Sequence, residues 1–194
     1  MSIAEVITTL PSRPAIARRP AATLREIPVI EPGQLWLIEA PPDASPSSPA
    51  RHAIDGANVV IYDRALAETL AEALPLGTYA EAAADASAAR CVRFVADGWS
   101  VARLAPARLS RRERAGLVRG LVDALTAAKA PGDLAVQVFA EAAEGICEHV
   151  ETRLDHLVHL VATHPRDTRL TIVIAALGSA AARVQAVAGN GLAG

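Results

Sequence analysis

From Gly33 onward the chain alternates short aliphatic runs with amphipathic stretches. QLWLI (34–38) is an apolar run ended by APPDASPSSP, whose prolines and serines forbid continuation, so it predicts a strand followed by a loop. ARHAIDGA (50–57) reads as a short helical segment, and NVVIYD (58–63) as a second strand closed by an acid. Strand, crossover and strand in that order favour parallel pairing. RALAETLAEALP carries Leu66, Leu70, Ala71 and Leu74 with acids between them, an amphipathic helix stopped by Pro75 and Gly77. Residues 80–89 are mostly alanine and give no clear signal. RCVRFVADG (90–98) predicts a third strand with a turn after it.

In the second half, Ser110 with Glu113 three residues on has the form of a capping box and opens a helix to about Lys129, stopped by APGD. LAVQVFAE is a strand. CEHVETRLDHLVHLVATHP predicts a short extended piece, an N-cap at Thr152, and a helix with Leu154, Leu157, Val158 and Val161 on one face, ended by Pro165. RLTIVIAALG is the final strand. The alternation in both halves predicts an α/β fold, with a mainly parallel sheet in the first half. Proline and arginine without a sustained period make residues 1–30 an extended or disordered arm. Residues 31–107 then form an N-terminal α/β half and 108–194 a C-terminal one, divided near LAPARLSRRERAG. No repeat is visible.

Composition narrows the classes. A net charge of -2 gives no electrostatic case for nucleic acid. The 52% hydrophobic content includes 43 alanines, so the core is built from Leu, Val, Ile and closely packed Ala. The longest nearly uncharged run, the 13 residues between Arg169 and Arg183, is short of the roughly 20 a spanning helix needs. The first 20 residues hold no apolar block of secretory length, and Pro11 and Pro14 interrupt them, so the reading is cytoplasmic. Two cysteines exclude a disulfide framework, and Cys91 and Cys147 read as reduced, buried, small hydrophobes.

Candidate chemistry is sparse. Asp43 and Asp63 stand just beyond the ends of predicted parallel strands, where open α/β sheets bind ligands. Equally, Asp43 serves a turn and Asp63 caps the next helix. Arg64 is either a contact for an acidic ligand or a solvated helix residue. His149, His156, His159 and His164 fall close together, but without a convergent further ligand they read as a polar helix face, and no metal is expected. No serine sits in GxSxG, and neither cysteine has a nucleophile's context. The basic run RRERAGLVR contains an acid and no aromatic residue, which reads as a solvated face.

Taken in order, GQLWLI, the Pro/Asp loop, ARHAIDGANVVIYDRAL, ARCVRFVADGWSV, LVRGLVDALTAAKAPGDLAVQVF, VETRLDHLVHLV and LTIVIAALG resemble the tetrapyrrole methylases, in particular the uroporphyrinogen-III C-methyltransferase branch. The resemblance covers most of residues 33–178, and ANVVIYDRAL carries it best. It implies a cleft between two α/β halves that binds S-adenosylmethionine, and methyl transfer to ring carbons of a tetrapyrrole. It places cofactor-binding positions at Pro41 and Pro42 in the first loop and at Asp97, Gly98 and Trp99 after the third strand, the retained, catalytic acid at Asp43, and substrate contacts at Asp63 and Arg64.

The motifs depart from the family pattern. Where the family's first loop reads GAGPGDP, this chain has Glu39, Ala40, Pro41, Pro42 and Asp43, and proline cannot reproduce glycine geometry. Where the family has GGDP, this chain has Ala96, Asp97, Gly98 and Trp99, and only Ser100 to Leu109 stand in place of a long connection. The expectation is therefore a shortened, degenerate member acting as a tetrapyrrole-binding or accessory protein, with no cofactor. The alternatives are an active S-adenosylmethionine-dependent methyltransferase and an unrelated interaction module. The expected partners are a tetrapyrrole or other small molecule and a second copy in a homodimer, with neither nucleic acid nor membrane.

Overall fold

A computed structural model of the chain describes residues 29–41, 48–84, 87–130, 134–142, 145–165 and 167–174. The expectations for residues 1–28, for Pro42 and for Asp43 lie outside these. Seven strands, β1 (Leu35–Ala40), β2 (Val59–Tyr62), β3 (Tyr79–Ala82), β4 (Val101–Pro106), β5 (Ala135–Ala142), β6 (Gly145–Arg153) and β7 (Arg169–Ile174), form one sheet in the order β3-β2-β4-β1-β7-β5-β6. The fold is mixed α/β. β3, β2, β4 and β1 are parallel, and β7, β5 and β6 continue the sheet antiparallel from β1. The pairing of β1 with β7 joins the two halves edge to edge.

Among the described residues five α-helices cover the sheet: α1 (Ser48–Gly56), α2 (Ala67–Ala71), α3 (Ser87–Ala96), α4 (Arg111–Ala127) and α5 (Leu154–Thr163). Alternation along the strands decides which face each residue serves. Trp36 and Ile38 of β1 pack with Ile54 of α1 and Leu70 of α2, whereas Leu35 and Leu37 pack with Val95 of α3, Leu121 of α4 and Leu157 of α5. Every residue of β1 is buried, as a strand covered on both faces requires. The Trp36 indole N–H, which burial would leave without water, donates to Gln34 Oε1 at 3.0 Å.

Ser110 forms the expected capping box: its hydroxyl accepts from Glu113 N–H at 3.2 Å, and Glu113 Oε2 accepts from Ser110 N–H at 2.8 Å. Other expectations are corrected. RCVRFVADG is not a strand but the body of α3. Cys91, Val92 and Val95 recur at helical spacing and are buried together, leaving Arg90, Arg93 and Asp97 exposed. α3 ends in a Schellman motif, with Gly98 at φ 89°, Gly98 N–H on the Val95 carbonyl and Trp99 N–H on the Phe94 carbonyl. The strand that completes the centre of the sheet is β4, from the segment that resembled a linker; Arg103 and Pro106 break the aliphatic pattern that would have marked it.

The helix expected over RALAETLAEALP is a 3-10 turn at Arg64–Leu66 followed by the short α2. The alanine-rich stretch supplies β3. The N-cap expected at Thr152 is one residue early, because β6 continues through Arg153 and α5 begins at Leu154 without a side-chain cap.

Candidate functional site

The carboxyl ends of β1, β2 and β4 lie side by side. The chain leaves β1 and β2 towards α1 and α2 on one face and leaves β4 towards α4 on the other. Connections that part to opposite faces open a crevice at the strand ends, the usual ligand position in such sheets. A layer of charged side chains occupies this end.

Glu39, the penultimate residue of β1, points into the α4 side of the sheet. Its Oε1 accepts from Arg114 Nε at 2.5 Å, and its Oε2 accepts from Arg114 Nη2 at 2.8 Å and from Leu170 N–H at 3.0 Å. Arg114 also donates to the carbonyls of Pro165, at 3.2 Å, and Thr168, at 3.0 Å. The side chains are 5% and 2% exposed. Burial raises the Glu39 carboxyl above its ordinary range, against the opposing pull of the Arg114 hydrogen bond and charge, the Leu170 N–H and the His164 charge. This pair ties β1, α4 and the α5–β7 connection together.

His164, buried at the end of α5, stands near this pair. Its Nδ1 lies 2.9 Å from the Leu160 carbonyl, and its Nε2 is 3.7 Å from Glu148 of β6 with no hydrogen-bond partner.

Among the described residues, Arg103 of β4 is the other buried guanidinium. Its Nη1 donates to the Leu104 carbonyl and, at 3.5 Å, to the Ile61 carbonyl, while its Nε is enclosed without a partner. Burial lowers its pKa from the ordinary value, with the Asp63 charge opposing. Burial likewise pushes the Cys91 thiol up to about 12.

Of the residues singled out from sequence, Pro41 and Asp63 stand at this end of the sheet. Asp63 follows β2, and its Oδ1 accepts from Ala65 N–H at 3.0 Å, which caps the turn at Arg64–Leu66. Arg64 is exposed on that turn. Asp97, Gly98 and Trp99 are elsewhere. They precede β4, and the Trp99 carbonyl accepts from Gly33 N–H just before β1. The six residues of β4 therefore separate them from Pro41 and Asp63 by about 20 Å. Placing residues 90–98 on a strand had put both groups at one end; the helix reverses this.

Trp99 instead borders a groove of about 570 Å³ at the amino-terminal edge of the sheet, together with Asp55, Asn58, Leu76, Tyr79 and Phe94. Asn58 and Ser100 fasten that edge: Ser100 Oγ accepts from Asn58 N–H at 2.9 Å and donates to Asn58 Oδ1 at 2.8 Å. His156 and His159 are exposed on α5. Among the described residues, no group of three His, Cys, Asp or Glu side chains is placed to hold a metal ion, and no helix is long and apolar enough to cross a membrane.

Arg103 and Arg114 escaped the sequence reading. Arg114 sits inside a run that reads as a solvated basic face, and its partner Glu39 is 75 positions away. Arg103 carries a signal, a lone cation flanked by Val, Ala and Leu, but only a strand assignment for β4 would have turned it inward.

The molecule thus belongs to the mixed α/β class, with a parallel half whose carboxyl ends carry buried charge. No protein-family model matches the chain, and no curated protein matches it. Among solved structures it is similar to cobalt precorrin-4 methyltransferase, a cobalamin biosynthetic enzyme. That similarity has 13% identity, covers 72% of this chain and 93% of the other, and has a TM-score of 0.30.

Proposed function

We propose that this chain is a shortened tetrapyrrole methylase-like protein, related to the uroporphyrinogen-III C-methyltransferases of the sirohaem and cobalamin branch, which has lost ordinary S-adenosylmethionine binding and serves as a tetrapyrrole-binding or accessory partner. The family part of this reading rests on the collinear motifs of the sequence. The loss of cofactor binding rests on Glu39. At the strand end where the family has a glycine that lets backbone N–H groups approach a ligand, this chain has a carboxylate turned inward onto Arg114 and the Leu170 N–H. That strand end is committed to holding α4 and β7.

Residues Pro41, Asp63 and Arg64 remain at the crevice for an acidic small molecule. Asp97, Gly98 and Trp99, on the far edge, do not complete a cofactor cleft with them. A homodimer belongs to the proposal, since a small chain gains from additional burial.

The test is calorimetric titration with S-adenosylmethionine and S-adenosylhomocysteine, alongside an absorbance titration with uroporphyrin. The expected result is no heat with either cofactor and a saturable change in the porphyrin spectrum. Methyl transfer to uroporphyrinogen III at ordinary enzymatic rates would restore the active-methyltransferase reading, and silence in all three titrations would leave an interaction module. Sedimentation of the full chain tests the dimer.

A further inference from the structure

Among the described residues two arginines are buried on the α4 side of the sheet, Arg114 against the carboxyl end of β1 and Arg103 at the third of the six residues of β4, and their surroundings differ. Arg114, 2% exposed, has a carboxylate on two of its nitrogens and two carbonyls besides. Arg103, 7% exposed, has only the carbonyls of Ile61 and Leu104, both on Nη1. Its Nε is sealed from solvent with no partner, and among the described residues no carboxylate stands within ion-pair distance of it.

The groups facing it do not supply the missing charge. The Cys91 thiol, on α3, is held neutral by its burial. Asp63, beyond β2, acts on Arg103 through space, but its Oδ1 is taken up by the Ala65 N–H. A guanidinium taken out of water needs a counter-charge and occupied N–H donors to offset its desolvation. The protein supplies that completely for one arginine and leaves it open for the other. The open one lies on β4, between β2 and β1, where the connections part to opposite faces of the sheet.

We infer that Arg103 is the anchor of a binding site for a carboxylate group, seated between β2 and β4 at the level of Ile61 and Leu104. The ligand pairs with the guanidinium through Nη2, the nitrogen that neither of its hydrogen bonds uses and that is not enclosed as Nε is. A monoanionic carboxylate suits the place better than a phosphate dianion, because Asp63 already faces the same guanidinium and would repel a second negative charge. Asp63 is thus a specificity element of the site as well as a cap. The inference stands without the family reading, since it requires only a ligand bearing a carboxylate.

The experiment is a titration of the full chain with sodium propionate at constant ionic strength. The readouts are the melting temperature and the arginine Nε–H resonances, the Arg103 signal being assigned by its loss in Arg103→Lys. The expected result is a saturable shift of the Arg103 Nε–H with propionate, a parallel rise in melting temperature, and no such shift with sodium chloride. Arg103→Met should fold, since it removes an uncompensated buried charge. Its propionate response should be about tenfold weaker or absent, the factor expected when one charge-assisted contact is lost.

Equal responses to propionate and chloride, an undiminished melting-temperature response in Arg103→Met, or no response of the Arg103 resonance would each overturn the site. Phosphate binding more tightly than propionate would overturn the role given to Asp63. Propionate binding without uroporphyrin binding would keep the site and remove the reading under Proposed function.

Discussion

The Glu39 carboxylate meets the Arg114 guanidinium along two edges, 75 positions apart in sequence, with almost no solvent reaching either side chain. This one contact joins the middle of the sheet to α4, so its loss should be felt throughout the fold. Arg114→Met alone leaves the Glu39 carboxyl buried without its partner, at an expected cost of about 3–5 kcal/mol. The double replacement Glu39→Leu with Arg114→Met removes both charges and should lie within about 1–2 kcal/mol of the parent. Urea denaturation of the three proteins checks this; equal losses in the single and double variants would mean that the pair acts through packing alone.

The same carboxyl gives a pH dependence. Burial raises its native pKa above the ordinary value, so the native state holds the proton to higher pH than the unfolded chain does. The associated stability is fully present below the ordinary carboxylate range and is lost as pH rises through the raised native value. Subtracting the Glu39→Gln profile from the parent profile between about pH 4 and about pH 8 isolates this term. A difference that grows with pH would contradict it.

Cys91 is buried and free, and its thiol is pushed up to about 12. At pH 8 only about one molecule in ten thousand would carry the reactive thiolate, and burial blocks access to it. In a Cys147→Ser protein, where Cys91 is the single thiol, a chromogenic disulfide reagent should give no signal with the native chain and one equivalent after guanidinium is added. Prompt reaction of the native protein would show that α3 opens readily from the sheet.

α4 ends with Lys129 at φ 59°, where Lys129 N–H donates to the Thr126 carbonyl and Ala130 N–H to the Leu125 carbonyl. That is a Schellman ending with a lysine in the position glycine favours. Lys129→Gly should raise stability by about 1 kcal/mol by relieving the left-handed conformation, whereas Lys129→Ala should not. A lower melting temperature for the glycine variant would mean that the unfolded chain's added freedom outweighs the relief.

The sequence by itself determined the elements whose signals are local. The aliphatic runs of β1, β2, β5 and β7 and the Ser110 capping box are written in neighbouring residues, and so is the α/β class, because alternating strands and helices leave few other ways to bury their apolar faces. Tertiary structure decided the rest. RCVRFVADG carries β-branched residues that suit a strand and a spacing that suits a helix, and the sheet accepted it as α3 because Cys91, Val92 and Val95 then share one buried face. β4 was hidden by Arg103, whose cation reads as surface until a strand on each side makes it interior. The site was the least legible part. Glu39, Arg103 and Arg114 acquire their meaning from burial and from partners far away in the chain, and a charge's cost and use depend on the surroundings that only the folded molecule supplies.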